Sequence, residues 1–274
     1  MRQSGMDLDR YRVAPGSAVS LADHDPDDDG GGSLTKESAQ EPLAATSARI
    51  GELQEMVFAG GQHKVLIVLQ GMDTSGKDGT IKHVFADTNA TGVSVVSFKK
   101  PTETELAHDY LWRVHAQVPD AGRMTIFNRS HYEDVLVVRV DELVPEAQWR
   151  RRYRHIRELE RMLADEGTLV RKFFLHISKD EQRDRLRARL EDPTKTWKFQ
   201  EGDLGVRERW DDYQRAYEEA LSETSTDDAP WYVVPANRKW YRNLVVANVL
   251  IESLEGLDLR YPAPDPGLAD LRID

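Results

Sequence analysis

A glycine-rich motif at residues 71–78 constrains this chain more than any other part of its sequence. The motif has the form G-x-x-x-x-G-K. It follows the apolar run KVLIVLQ at 64–70, which is typical of a buried parallel strand, and precedes helically spaced apolar residues at 79–87. Such a loop binds phosphate, because glycines let backbone N–H groups converge on its oxygens and the helix N-terminus adds partial positive charge. The residues predicted to bind phosphate here are Gly71, Thr74, Ser75, Gly76 and Lys77.

Two acidic residues distinguish this loop from the commoner form of the motif. Asp78 stands where that form has Ser or Thr, whose hydroxyl binds Mg²⁺, and Asp73 lies inside the loop. Carboxylates beside phosphates repel them unless a hard cation lies between, so we predict that Asp73 binds Mg²⁺, with Mn²⁺ as an alternative ion. Asp78 has two interpretations: it contributes to the metal site, or it interacts favourably with the helix dipole.

The composition narrows the class of protein. A chain of 274 residues can bury one large core, and the absence of cysteine excludes disulfides, thiolate zinc sites and cysteine nucleophiles. The N-terminus has no apolar leader, and no apolar run reaches membrane-spanning length. We therefore expect a soluble, cytoplasmic protein with no membrane partner.

The first 45 residues are strongly acidic. They contain nine acidic and four basic residues, a net charge of −5 out of −11 for the whole chain. Five aspartates lie at 23–29 and three glycines follow at 30–32. This composition predicts a flexible, poorly packing arm over 1–45 and a folded domain over 46–274. Bases in the folded domain gather around the predicted phosphate sites, which favours a local basic groove over a nucleic-acid surface.

Strands alternate with helices along the folded part of the chain. Periodicity predicts strands at 64–70, 92–98, 124–127, 172–177 and 231–235, and helices at 46–62, 79–87, 102–117, 149–165, 179–190 and 239–254. Thr102 and Glu105 form a capping box for the third of these helices. This alternation predicts an α/β fold with a parallel sheet covered by helices on both faces.

Polar residues follow the second and third strands, at the edge where parallel sheets bind ligands. Asn128 occupies the position where a metal-binding acid often stands, and Arg129 is suited to clamp two phosphate oxygens. The alternative for Arg129 is a surface salt bridge with Glu133 or Asp134. The residues predicted to contact phosphate or nucleotide at this edge are Lys99, Lys100, Asn128, Arg129 and Ser130.

Residues 191–212 lack clear periodicity and are rich in Lys, Arg and Trp. We predict a lid here, because basic lids exclude water and complete a phosphate site when they close. Lys198, Asp203 and Arg207 are its predicted binding residues. Trp197 and Trp210 either stack on a base or pack in the core.

Four ordered motifs resemble those of the second family of polyphosphate kinases, over about 46–262. The motifs are Gly71-x-Asp73-x-x-Gly76-Lys77-Asp78, Asn128-Arg129-Ser130-x-Tyr132-Glu133, Asp192-Pro193-x-Lys195-x-Trp197-Lys198 and Ala229-Pro230-Trp231-Tyr232. The resemblance implies a thymidylate kinase-like P-loop fold, a three-layer α/β/α sandwich with a helical lid. It also implies Mg²⁺-dependent, reversible transfer between inorganic polyphosphate and nucleotides.

The resemblance further implies roles for particular residues. Asp73, Lys77 and Arg129 would be catalytic, and Lys198 and Arg207 would belong to the lid. The Asn-Arg-Ser form, in place of Asp-Arg-Ser, resembles the subgroup, class III, that phosphorylates both AMP and ADP. Expected partners are therefore polyphosphate, AMP, ADP and ATP, and a homo-oligomer, dimer or tetramer, is expected.

Two alternative functions remain open from the sequence. An ATP-dependent nucleoside monophosphate kinase would have Ser or Thr at position 78, where this chain has Asp78. A nucleotide-binding regulatory protein would have an acidic residue in place of Asn128. Anhydride exchange needs no protein nucleophile, and the sequence offers no other recognisable catalytic motif.

Overall fold

The apolar run before the glycine loop forms the central strand of a parallel sheet. The computed structural model describes residues 6–32, 34–199, 202–267 and 271–273. The strands in these ranges are β1 Lys64–Gln70, β2 Val93–Ser97, β3 Met124–Asn128, β4 Thr168–His176 and β5 Trp231–Pro235. Their order is β2-β3-β1-β4-β5, with every pairing parallel. The prediction of about five parallel strands is confirmed.

Helices cover the sheet on both sides. Those in the described ranges are α1 Gln40–Gly60, α2 Lys77–Val84, α3 Glu103–Leu106, α4 Trp112–His115, α5 Val137–Val140, α6 Glu146–Asp165, α7 Lys179–Glu191, α8 Gly202–Glu208, α9 Trp210–Thr224 and α10 Lys239–Glu255. Helices α1, α2 and α10 pack together, as do α5, α6 and α9. The predicted three-layer α/β/α sandwich is confirmed.

The winding of the sheet places the loop after β1 at a ligand-binding edge. The chain passes from β1 to β2 and β3 on one side and then to β4 on the other, so its direction reverses beside β1. Ligands of open α/β sheets bind at such a reversal, beyond the carboxyl ends of the strands. Register pairs Leu69 with Asn128 and Gln70 with Phe174, so β1, β3 and β4 all end near the glycine loop.

One predicted helix is wrong. The single helix expected at 102–117 is two short helices, α3 and α4. The predicted capping box of Thr102 and Glu105 is present at the start of α3. The break follows from Asp109, whose Oδ1 accepts a hydrogen bond from the Leu111 N–H at 2.9 Å. An aspartate that bonds the backbone two residues on stabilises a turn in competition with the helix.

The expectation of a poorly packing N-terminal arm is wrong for residues 6–32. Leu8, Tyr11, Val13 and Leu21 are all buried in the main hydrophobic core. The Val13 N–H donates to the Trp231 carbonyl at 2.9 Å, which lays the segment along the edge strand β5. The acidic composition concealed this packing because the four buried apolar side chains of the segment are widely spaced and have no regular period.

The acidic residues of this segment also have partners. Asp27 accepts a hydrogen bond from Asn237 Nδ2 at 2.9 Å, and Asp29 pairs with Arg238 at 3.2 Å. Both partners lie between β5 and α10. We call residues 6–32 the N-terminal strap.

Among the described residues, every helix is too short or too polar to cross a lipid bilayer.

Candidate active site

The loop after β1 has a backbone that few residue types tolerate. Gly71, Thr74 and Gly76 have φ angles of 148°, 67° and 105°. A Cβ on Gly71 would lie 2.7 Å from the Leu175 carbonyl oxygen, and one on Gly76 would lie 1.8 Å from Arg242 Nη1. Glycine is therefore required at both positions by space as well as by conformation.

The carbonyl groups of this loop face the protein. Each carbonyl from residue 71 to 76 accepts a hydrogen bond, and the donors in order along the loop are Lys77 Nζ, the Ser75 N–H, Gln182 Nε2, Arg185 Nη1, Arg185 Nη1 again and the Thr80 N–H. The first N–H groups of α2 have no acceptor within their helix. With the carbonyls held away, these N–H groups form a preorganised anion site.

Arg185 contacts the loop, although no sequence motif predicts it as a residue of the site. It lies on α7 and donates to the carbonyls of Thr74 at 2.8 Å and Ser75 at 3.1 Å. Its other branch donates to the carbonyls of Ala236 and Asn237 at 2.6 and 2.9 Å. Sequence spacing does not reveal these contacts, because a guanidinium 110 residues from the loop reaches it only through the fold.

Lys77 is the principal cation of the loop. Its side chain is 8% exposed, and Nζ donates to the Gly71 carbonyl at 2.7 Å. The pKa of Lys77 is lowered to about 8, first by burial and then by the nearby Arg129, and this lowering outweighs the opposite effect of Asp73 and Glu133. The ammonium is thus held within the loop with little solvent around it.

Arg129 faces the loop from the end of β3. Its φ angle is 61°, a left-handed conformation that is uncommon outside glycine, and its guanidinium forms an ion pair with Asp73. The alternative partners, Glu133 and Asp134, are not its ion-pair partners in the described structure. Burial lowers the pKa of Arg129, but Asp73 and Glu133 raise it and prevail, so the guanidinium stays charged.

A buried polar cluster holds the turn that follows Arg129. The Tyr132 hydroxyl donates to Glu160 at 2.8 Å, and Lys172 Nζ contacts Glu160 at 2.6 Å and Tyr132 at 2.9 Å. All three side chains are almost completely buried. Their hydrogen bonds tie the turn to α6 and β4, which fixes the backbone that carries Arg129.

Asp78 connects three parts of the site. It lies in the first turn of α2, where its carboxylate accepts a hydrogen bond from Asn128 Nδ2 at 2.7 Å. Its other oxygen lies 3.8 Å from Lys198 Nζ in the lid. The neutral amide of Asn128 can donate to Asp78, whereas an acidic residue at this position would repel it.

The carboxylates of the loop fit a small divalent cation. Mg²⁺ is usually held by one or two carboxylates together with waters and substrate phosphates. Asp73 lies in the loop beside Lys77 and Arg129 and is partly exposed. Asp78 lies in the first turn of α2 and is largely exposed. The described residues contain no cluster of three or more metal-ligating side chains, so phosphate oxygens would have to complete the coordination.

In the predicted lid, 191–212, the structure describes residues 191–199 and 202–212, and most of these are helical, whereas residues 200 and 201 lie outside the described ranges. The lid contains α8, the start of α9 and a 3₁₀ turn at Thr196–Lys198. Arg207 donates to Gln182 Oε1 at 3.1 Å, and Gln182 in turn donates to the Asp73 carbonyl at 3.3 Å. Asp203 pairs with Arg189 on α7 at 3.7 Å. The lid residues thus reach the loop through α7.

The two tryptophans of the lid region have different environments. Trp210 is 7% exposed and belongs to the hydrophobic core, so packing accounts for it. Trp197 is 76% exposed, and Lys198 Nζ lies 5.1 Å from the centre of its ring. Of the two, Trp197 is the one with a face available to a ligand.

Three predicted binding residues lie apart from the loop. Ser130 is completely buried, and its hydroxyl accepts a hydrogen bond from the Tyr132 N–H at 3.2 Å, contrary to the prediction that it binds phosphate. Lys99 and Lys100 are exposed beyond the edge strand β2. In the described structure no hydrogen bond or ion pair joins their side chains to the glycine loop, so their place in the site stays a prediction.

Comparison with known proteins identifies the family. The family model for polyphosphate kinase 2 matches residues 33–261. The AMP/ADP-polyphosphate phosphotransferase of Meiothermus ruber is 60% identical over 97% of this chain and 100% of its own length. The ADP-polyphosphate phosphotransferase of Rhodopseudomonas palustris is 47% identical over 85% of this chain and 84% of its own length.

A solved structure supports the same relationship. The crystal structure of polyphosphate kinase 2 from Arthrobacter aurescens superposes with a TM-score of 0.90 at 46% sequence identity. The match covers 93% of this chain and 91% of that chain. The phosphate loop, the Asn128-Arg129 turn and the basic lid described above all lie inside the matched region of the family model. This chain belongs to the polyphosphate kinase 2 family of enzymes.

Proposed function

We propose that this protein transfers phosphoryl groups from inorganic polyphosphate to AMP and ADP, forming ADP and ATP, and that the reaction is reversible and requires Mg²⁺. The observation that carries the proposal is the juxtaposition of Lys77, Arg129 and Asp73 around one preorganised phosphate loop. The name of the Meiothermus ruber relative, which aligns over nearly the whole chain, supports AMP and ADP as acceptors.

The reaction requires the protein to position the substrates and to neutralise their charge, and it requires no protein nucleophile. An oxygen of the acceptor's terminal phosphate attacks the terminal phosphorus of polyphosphate, and the bond to the next phosphate of the donor breaks. The attacking oxygen is already ionised, so no strong general base is needed. Lys77 and Arg129 neutralise the charge on the transferring group, and the N–H groups of α2 orient it.

Asp73 and Asp78 are the side chains that would hold the divalent cation. When bound, such an ion neutralises phosphate charge and helps to align donor and acceptor. Arg129 forms an ion pair with Asp73 and therefore holds this carboxylate at the phosphate loop. The closing lid would bring Lys198 to the same place from the opposite side.

A time course of nucleotides tests the proposal. Purified protein is incubated with AMP, polyphosphate and Mg²⁺, and the three adenine nucleotides are separated by chromatography. ADP is expected first and ATP next, without added adenylate kinase, and chelation of the metal should stop both steps. Product that stops at ADP would reject ADP as an acceptor. Transfer from ATP but never from polyphosphate would reject the donor assignment.

Two further properties belong to the same proposal. We propose that the protein acts in the cytoplasm and assembles as a homo-oligomer, a dimer or tetramer. Light scattering coupled to size-exclusion chromatography measures the assembly directly, and a mass of one chain at working concentrations would contradict it.

A further inference from the structure

A second guanidinium lies beneath the phosphate loop. Arg242, on α10, is 2% exposed, and its Nη1 donates to the Ser75 carbonyl at 3.3 Å. Its guanidinium lies directly against Gly76, where an added Cβ would meet Nη1 at 1.8 Å, and against Gly79, where one would meet Nη2 at 3.3 Å. Arg242 therefore supports both the loop and the first turn of α2.

This cation has no anionic partner in the described part of the chain. Its nearest acceptor side chain is the neutral amide of Asn243, whose Oδ1 receives bonds from Nε at 3.1 Å and Nη2 at 2.8 Å. Arg185 approaches the same Ser75 carbonyl and is also positively charged, but it has Glu181 as an ion-pair partner at 2.6 Å. Arg185 and Arg242 thus both lie behind the loop, and the carboxylate of Glu181 compensates only the charge of Arg185.

The charge of Arg242 persists at neutral pH. Burial, together with repulsion from Arg185, lowers the pKa of Arg242 to about 9. A buried cation without a counter-ion destabilises a folded protein, because the charge has left water without gaining an opposite charge. The group that would compensate it is an anion on the outer side of the loop.

We propose that Arg242 is a positioning residue for phosphoryl transfer, which holds the Ser75 carbonyl away from the phosphate and supplies a buried positive charge that a bound phosphate chain compensates through the loop. This inference rests on the proposed function for its substrate. Its two consequences are opposite in sign: Arg242 destabilises the ligand-free protein and stabilises the complex with a phosphate chain.

Substitution by methionine, which is similar in length and uncharged, tests both consequences. Unfolding temperatures of wild type and Arg242→Met are measured alone, with tripolyphosphate and with ATP. The ligand-free variant should unfold at the wild-type temperature or above it. The rise in unfolding temperature that either ligand causes should be smaller in the variant, because that rise follows ligand affinity. Affinity measured by calorimetry should fall by roughly tenfold, because the attraction of one buried charge for the phosphate chain is lost.

Arg171→Met provides a matched control. Arg171, on β4, is partly buried and donates to Ser253 Oγ at 2.7 Å, but it makes no contact with the loop in the described structure. Its substitution should leave the ligand-induced rise unchanged. Arg242→Lys keeps the charge without the branched donor, so it should retain more ligand affinity than Arg242→Met.

Other results would overturn the inference. A ligand-free Arg242→Met protein that unfolds at a lower temperature, with an unchanged ligand-induced rise, would mean that Arg242 only supports the fold. Should Arg242→Met fail to fold, the same measurements on the uncharged variant Arg242→Gln decide, and wild-type affinity together with lower stability would again reject the inference. Failure of the proposed function is distinguishable, since it would abolish transfer from polyphosphate while leaving the ATP-induced rise measurable.

Discussion

At the scale of single residues, the charge of Lys77 depends on pH. Burial brings its pKa down to about 8, so the ammonium is charged below that pH and loses its proton as pH rises through it. Affinity for a phosphate chain should therefore be full below about pH 8 and weaken by up to about tenfold per pH unit above it. Calorimetric titration of tripolyphosphate across pH 6.5–9.5 measures this directly.

Lys77→Arg separates this effect from titration of other groups. Arginine has a much higher intrinsic pKa than lysine, so the variant should bind more weakly but with a nearly flat pH dependence up to about pH 8.5, below the pKa of about 9 of Arg242. A slope equal to that of the wild type would assign the titration to a different group.

Asn128 gives a second prediction at this scale. Its amide donates to Asp78, and Asn128→Asp would instead place two carboxylates side by side where phosphates meet. ADP brings more negative charge than AMP, so kcat/KM should fall by about tenfold more for ADP than for AMP. Asn128→Ala, which removes the hydrogen bond without adding charge, is the control, and an equal loss for both acceptors in Asn128→Asp would contradict the electrostatic argument.

Residue-level prediction succeeded where local sequence determines geometry. The spacing of Gly71, Gly76 and Lys77 after an apolar strand predicted the loop that the structure contains. Arg185 and Arg242 were not predictable, because their partners are backbone carbonyls more than 100 residues away. Ser130 was predicted from its place after β3, but the turn directs its hydroxyl inward.

Strands and helices were also predictable where the local sequence determines their geometry. The predicted bounds of the first and fifth strands are those that the structure has, and the other strands lie within four residues of their predicted bounds at each end. The helix predicted at 102–117 was wrong because Asp109 stabilises a turn, a local competition that apolar spacing does not reveal. The predicted lid lacks periodicity because α8 is only seven residues long and polar contacts from Arg207 and Asp203 help to hold it on α7.

The lid gives a prediction at the scale of an element. Lys198 acts as an exposed charge, whereas Arg207 is hydrogen-bonded to α7 through the Lys179 carbonyl and Gln182. Lys198→Ala should lower kcat/KM for polyphosphate and make it less sensitive to salt, because one screened attraction is lost. Arg207→Ala should lower kcat with the salt dependence nearly unchanged. Lys36→Ala, an exposed lysine near α1, is the control, and identical salt profiles for both lid variants would contradict these separate roles.

At the scale of the whole molecule, the N-terminal strap is part of the folded unit. Leu21 is 3% exposed, and its N–H donates to Glu218 on α9 at 2.8 Å. Leu21→Ala should lower the free energy of unfolding by about 2–5 kcal/mol, as for other buried leucines. Urea unfolding measures the change, with the exposed neighbour substitution Ala22→Ser as the control. A loss below about 1 kcal/mol would mean that the strap contributes little to stability.

The contact between Tyr11 and Tyr241 has a consequence for biosynthesis. Their hydroxyl groups lie 2.8 Å apart although 230 positions separate them in the chain. Translation proceeds from the N-terminus, so the apolar residues of the strap emerge long before β5 and α10 exist to cover them. These apolar residues stay exposed until the polypeptide has been made past residue 241. During such exposure nascent chains are most prone to associate with one another. Five aspartates beside these apolar residues keep the strap strongly charged, and hence soluble, until β5 and α10 have been synthesised.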